Sequence, residues 1–371
     1  MTEATAQEPD TCLDTATRLA DLTTMRVGGP AQRIVTAHDA DELVAAVQAA
    51  DAAGEPLLIV SGGSNLLVAD AGFEGTVVRV ASRGVRVESQ DACSGATVRV
   101  AAGEPWDEFV AHTVAQGWAG VEALSGIPGL TGATPIQNVG AYGQDVSQTI
   151  AQVRTWDRQE GRQRTFAAAD CGFSYRHSLF KETADGASPR YVVLDVTFQF
   201  ELADLSKPLA YADLARGLGV ELGARVPLAD AREAVLEQRR RRGMVLDAAD
   251  HDTWSCGSFF TNPILTPQQL ADLERRVVER LGDAAGLPRF PEPDGRVKTS
   301  AAWLIDRAGF AKGHGLPGPA ALSTKHTLAL TNRAEATAAD LLALAREVRD
   351  GVEATFGVRL VNEPVLVGLT L

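Results

Sequence analysis

A mixed α+β chain of several lobes is the fold class this sequence predicts, on three observations. At 371 residues it exceeds the size that one hydrophobic core ordinarily serves, so two or three units are expected, each burying its own apolar face. Short β-branched runs closed by glycine or polar residues recur as far as Phe200, whereas amphipathic helical stretches take over from Asp230. Hydrophobic residues at 45% and charged residues at 22% are the proportions of a globular chain, which sets aside a fibre or a disordered tail.

The elements follow in order. The first dozen residues read as a frayed tail, and Gly28 and Gly29 mark a turn within residues 22–35. Over residues 39–53 apolar side chains recur at helical spacing behind an acidic first turn, which suits the positive end of a helix dipole. Pro56 then leads into LLIV and the loop SGGSN, a strand and loop in a βαβ-like rhythm. GTVVRV, GVRVES and TVRVAAG read as strands, and EPWDEFVAHTVAQGW as an amphipathic helix. A glycine-rich stretch over residues 120–146 follows, and so long a loop in a compact domain is usually functional. Strands resume with IAQVRTWD, RQRTF and RYVVLDVTFQF, and residues 230–241 read as a helix running into RRRR. TPQQLADLERRVVERL begins a helix with Pro267 at a first helical position. TAADLLALAREVRDGVEATFG is the last helix, from a Thr or Asp cap, and VRLVNEPVLVGL the closing strand. No internal repeat or low-complexity linker interrupts this order.

The net charge of −13 argues against nucleic acid as a partner, since displacing phosphate counterions needs a cationic surface. Five of the 35 basic residues are lysines, and arginine abundance alone nominates no phosphate site. Cys12, Cys93, Cys171 and Cys256 stand far apart, and the six histidines form no HxH or HExxH pair, so neither a disulfide framework nor a metal centre is expected. The acidic start lacks the layout of a signal peptide, and no run of about 18 apolar residues occurs. A cytoplasmic chain without a membrane segment is the expectation.

Candidate chemistry lies in two loops and three short motifs. Ser61, Gly62, Gly63, Ser64 and Asn65 offer consecutive backbone amides, the concave nest that pyrophosphate oxygens need. The same residues also make an ordinary tight turn, and the loop is not a GxGxxG. Further on, Ser125, Gly126, Ile127, Pro128 and Gly129 precede Gln137, Asn138, Val139, Gly140, Ala141 and Tyr142, where glycines let backbone approach a flat ring. Together the loops suit the two halves of FAD, held without a covalent bond because the first loop carries neither histidine nor cysteine. In CGSFFTNP, Phe259 and Phe260 need burial while Ser258 faces elsewhere; against a ring in a dry pocket it can donate a proton, although serines commonly just cap turns. YRHS sets Arg176 beside Tyr175, and NEP supplies Glu363. Taken alone, these read as a surface salt-bridge residue and a solvated carboxylate.

In this order, SGGSN, SGIPG, PIQNVGAYG, YRHS, GSFFTNP, AAWLIDRAG and NEP closely resemble the UDP-N-acetylenolpyruvoylglucosamine reductase family, over residues 19–369. The resemblance implies three lobes. Residues 19–85 and 86–245 would form a PCMH-type, vanillyl-alcohol-oxidase-like FAD-binding fold, with the terminal strand in 351–371 returning to the first lobe. Residues 246–350 would form an α+β substrate-binding lobe. It also implies NADPH-dependent reduction of UDP-N-acetylglucosamine enolpyruvate to UDP-N-acetylmuramate, a peptidoglycan precursor, through noncovalent FAD, with a monomer favoured. Carried over by motif, Ser258 is the proton donor with Arg176 and Glu363 as companions, and Tyr175, Tyr211, Asn262, Arg241 and His326 contact substrate. LAYADL around Tyr211 resembles the first of two family types, whose tyrosine-bearing loop closes over the substrate. Met244 or a neighbour stands where some members carry lysine, so which arginine of 239–242 faces the substrate phosphates stays open.

The implied chemistry suits these residue types. Hydride arriving at the vinyl carbon remote from the ether oxygen pushes charge onto the adjacent carbon and the carboxylate. A fixed guanidinium stabilises such charge, and a well-placed hydroxyl protonates the carbon. Glu363 serves either as a hydrogen-bond donor to the enol oxygens or as an orienting and relaying carboxylate, and its ionisation stays open. Two other readings compete. A sugar or alcohol oxidase of the same superfamily would often tether its flavin through histidine or cysteine, which SGGSN lacks. A non-catalytic UDP-sugar-binding regulator would have no need of Ser258, Arg176 and Glu363 together.

Overall fold

The computed structural model describes residues 17–371, so the acidic start and Cys12 lie outside the described residues. The first lobe contains β1 (Ala31–Ala37), α1 (Ala40–Ala53), β2 (Leu57–Val60), β3 (Leu66–Val68) and β4 (Phe73–Val80). Asp39 starts α1 by accepting the amides of Asp41 and Glu42 at 2.9 and 2.8 Å. Gly54 ends it at φ +64°, and Leu43, Val47 and Ala50 form its buried stripe. β4 lies between β1 and β2 and runs parallel to both, which requires the α1 crossover.

The second lobe contains β5 (Val85–Asp91), β6 (Gly95–Ala101), α2 (Trp106–Ala115), β7 (Ile150–Asp157), β8 (Arg162–Ala167), the single turn α3 (Leu179–Glu182), β9 (Tyr191–Leu202) and α4 (Leu228–Arg241). Its antiparallel sheet runs β8-β7-β9-β6-β5. Trp106, Phe109 and Trp118 pack on Phe198 and Phe200 of β9. This aromatic core is continuous with Leu43, Val47, Leu57 and Val78 of the first lobe. The two lobes therefore share one close-packed interior.

The third lobe contains α5 (Pro267–Leu281), α6 (Ala301–Ala308), β10 (Ala320–Leu322), β11 (Leu330–Asn332) and α7 (Ala338–Phe356), around a separate core that includes Phe259 and Phe260. Thr266 and Thr337 start α5 and α7 with reciprocal capping boxes. The chain then returns to the first lobe, where β12 (Val365–Val367) pairs in parallel with β3. The closing segment is a strand over those three residues rather than over its whole length. Pro364 has no amide to donate, and Asn362 Nδ2 turns to the Pro364 carbonyl at 2.8 Å. Among the described residues no helix is long and apolar enough to cross a membrane.

Candidate active site

A cavity of about 650 Å³ opens where the three lobes meet. Its floor is the β2–β3 loop, all of Ser61, Gly62, Gly63, Ser64 and Asn65, facing Ile127, Pro128 and Gly129. The two loops touch backbone to backbone: a Cβ on Gly62 would sit 2.5 Å from Gly129 Cα, and one on Gly63 1.8 Å from the Leu22 carbonyl. Ser64 Oγ ties them by donating to the Pro128 carbonyl at 3.0 Å. Ser61 Oγ is buried without a hydrogen-bond partner. An orphaned hydroxyl costs about 1–3 kcal/mol, so Ser61 Oγ is a donor ready for an incoming group. A glycine cradle with an unpaired hydroxyl at its base fits the pyrophosphate of FAD.

Further along the wall come Gln137, Gly140, Arg176, Lys181, Ser258 and Glu363. Ser258 and Glu363 come together because two distant segments pair. Phe260 bridges Asn362, and the Glu363 amide donates to the Phe259 carbonyl at 2.8 Å. Phe259 and Phe260, both buried in the third-lobe core, anchor that pairing and leave Ser258 on the cavity surface. Arg176 reaches the site from a turn in which Ser174 and His177 exchange backbone hydrogen bonds. Its Nε donates to Glu363 Oε1 at 2.7 Å and its Nη2 to the Gly140 carbonyl at 2.9 Å. Its φ of +53° is a left-handed value that costs a non-glycine residue about 1–3 kcal/mol, the kind of strain that clusters at functional sites.

The other expected residues divide. Ser125 is buried with Oγ on the Glu122 carbonyl, Gly126 gives its amide to Asp107, and Asn138 bridges Ser174 and Ser147. None of these, nor Ala141 or Tyr142, is among the residues that line the cavity. Asn262 caps α6 through Oδ1 and the Ala301 amide at 3.0 Å, while its own amide donates to Tyr175 Oη at 3.3 Å. Tyr211 is half-exposed and meets Tyr142 edge-on at 5.6 Å. Cys256 lines the cavity, but burial pushes its thiol pKa up, which leaves it inert.

The arginine run separates by helical phase. Arg240 and Arg241 are exposed and pair with Glu233 and Glu237, whereas Arg239 turns inward to the cavity. Arg239 Nη2 donates to the Met244 carbonyl at 2.6 Å, while its Nε is buried without a partner. Burial lowers its pKa to about 10, so it stays charged at neutral pH. Arg242, three residues on, pairs with Asp213 at 3.3 Å; burial first, then the charges of Arg242 and Lys312, push the His326 imidazole down to about 4 and keep it neutral. The place of Arg239 three and four residues beyond buried Leu236 and Val235 was the signal available in the sequence for choosing it over Arg241. Asp107 also had no assigned role. Its Oδ1 accepts the Gly126 amide at 2.6 Å while Arg232 grips the carboxylate at 2.7 and 3.0 Å.

Residues 31–167 match the model of an FAD binding domain, and residues 249–367 match the C-terminal domain of UDP-N-acetylenolpyruvoylglucosamine reductase. The two matched domains thus define an FAD-dependent oxidoreductase that carries a second, C-terminal module. The UDP-N-acetylenolpyruvoylglucosamine reductase of Streptomyces coelicolor is 60% identical over 354 residues, covering 95% of this chain and 90% of that protein. That of Thermobifida fusca is 58% identical over 353 residues, covering 95% and 97%. The chain belongs to the UDP-N-acetylenolpyruvoylglucosamine reductase family. The crystal structure of the Thermus caldophilus UDP-N-acetylenolpyruvylglucosamine reductase shares the fold at a TM-score of 0.62 and 24% identity, over 95% of this chain and 97% of that one.

Proposed function

We propose that this chain reduces the enolpyruvyl group of UDP-N-acetylglucosamine enolpyruvate to the lactyl ether of UDP-N-acetylmuramate, for peptidoglycan synthesis. NADPH is the electron donor, FAD is bound noncovalently, and the enzyme acts as a cytoplasmic monomer. The observation that carries the proposal is the convergence of Ser258 with the Arg176–Glu363 pair on the cavity built by the two glycine loops.

Bound FAD supplies the hydride. The amides of residues 61–65 and the orphaned Ser61 hydroxyl would hold its pyrophosphate, and Arg239 offers a second buried donor along the same wall. Arg176 is fixed by two acceptors before substrate arrives, so its charge meets the growing negative charge on the substrate carboxylate without reorganisation. Ser258 then protonates the carbon next to that carboxylate. A serine hydroxyl is a weak acid, so the step depends on placement and on the basicity of the substrate carbanion. Glu363 orients the Arg176 guanidinium through the bond it accepts from Nε. Tyr175, Tyr211, Asn262 and the neutral His326 border the approach of the uridine diphosphate, with Arg242 rather than the outward-facing Arg241 supplying charge beside His326.

An anaerobic absorbance experiment tests the whole reading. Yellow protein should bleach with NADPH and recover colour on adding UDP-N-acetylglucosamine enolpyruvate. Recovery only with oxygen would refute the assigned acceptor.

A further inference from the structure

The Arg176–Glu363 pair depends on a backbone conformation that arginine does not favour. Arg176 is the third residue of the turn 174–177, at φ +53°, a place that glycine or asparagine ordinarily takes. The bonds between Ser174 and His177 close this turn without using the Arg176 carbonyl. That carbonyl accepts from Lys181 Nζ at 3.1 Å.

Lys181 is itself firmly placed. Ser178 caps α3, accepting the Lys181 amide at 3.3 Å and donating to the Ile136 carbonyl at 2.7 Å. Phe180 is sunk in the core shared by the first two lobes. The ammonium is thus delivered from a fixed base into a partly buried position; burial lowers its pKa, and the nearby Glu363 charge works against that. Lys181 also lines both the flavin cavity and a second cleft of about 740 Å³ on the other side of Arg176. No other side chain donates to the Arg176 carbonyl among the described residues.

We propose that Lys181 is a positioning residue for the reduction: by holding the Arg176 carbonyl it fixes the left-handed turn that aims the guanidinium at Glu363 and the cavity. The inference rests on the catalytic reading of Arg176. A double-mutant cycle on the holoenzyme tests it, following flavin content, reduction by NADPH, and reoxidation by UDP-N-acetylglucosamine enolpyruvate. Lys181→Met should retain FAD and be reduced by NADPH at close to the parent rate. Its reoxidation should slow about 10- to 100-fold, the effect of ångström-scale misplacement, with KM changed less than about threefold. Lys181→Arg, which keeps a cationic donor, should recover most of the rate. In an Arg176→Ala background, Lys181→Met should cost less than about twofold more, because what it positions is already gone. Additive losses in that background, unchanged reoxidation in Lys181→Met, or loss of FAD from Lys181→Met would each overturn the inference. Full turnover in Arg176→Ala alone would instead remove the catalytic reading on which it stands.

Discussion

Arg239→Met separates what the protein needs to fold from what it needs to hold its ligand. The substitution keeps much of the buried stem and removes the guanidinium. In the apoprotein two effects oppose each other. The charged hydrogen bond to the Met244 carbonyl, 2.6 Å long, is lost at about 1.5–3 kcal/mol, but the unpartnered Nε disappears too, returning about 1–3 kcal/mol. The net change in apoprotein stability should stay within about 2 kcal/mol, a shift in Tm of no more than about 8 °C. With FAD bound only the loss remains. Removing one partner of a buried charged contact costs about 2–5 kcal/mol, which at about 1.4 kcal/mol per decade is a roughly 30-fold to several-thousand-fold rise in the Kd for FAD. Thermal unfolding of deflavinated protein and titration of FAD by fluorescence quenching measure the two sides separately. Unchanged FAD affinity, or an apoprotein collapse with affinity per folded molecule preserved, would refute the assignment of Arg239 to the ligand.

Two further predictions concern the loops. Gly62→Ala forces a Cβ to within 2.5 Å of Gly129 Cα, so the two loops must part; overpacking of this kind costs about 1–3 kcal/mol, and purified protein should carry less than stoichiometric FAD by its visible spectrum. Asp107→Asn weakens the bidentate grip of Arg232 and loosens Gly126, raising the Kd for FAD with little change in kcat at saturating cofactor. Burial, the largest single influence, pushes the Asp107 pKa up, but the hydrogen bonds from Arg232 and Gly126 and the charges of Arg232 and Arg239 together outweigh it and hold the pKa below its ordinary value. Its stabilising contribution is therefore complete above the unfolded value of about 3.9 and is lost as pH falls through the lower folded value. An acid-unfolding series should show the parent losing its advantage over Asp107→Asn only below about pH 4.

Much of this arrangement was legible locally. Asp39, the Thr266–Pro267 start and Thr337 mark helix beginnings by short-range hydrogen bonding, and each stands at the start of its helix. Ser61 to Asn65 announced a nest by composition, and the structure lines the cavity with all five. What the sequence withheld depends on pairing across long separations. Asn138 looked like a ligand donor, but its Nδ2 is taken by the Ser174 carbonyl, while Asn262 Oδ1 accepts the Ala301 amide at the start of α6. Arg241 looked equivalent to Arg239 until the helix phase was fixed by burial of Val235 and Leu236. Lys181 carries no motif of its own, and its role follows from a contact five residues back to a carbonyl, which side-chain identity cannot disclose. Ser258 and Glu363 meet only because Phe260 pairs with Asn362 across about a hundred residues of chain.

The most direct test of the central claim is the oxidative half-reaction of Ser258→Ala, in which flavin reduced anaerobically by NADPH is mixed with UDP-N-acetylglucosamine enolpyruvate. The account predicts that FAD stays bound and is reduced at close to the parent rate. Reoxidation by the substrate should fall by about 10²-fold or more, the scale of a lost general acid. Reoxidation at the parent rate would contradict the account and remove Ser258 from the mechanism.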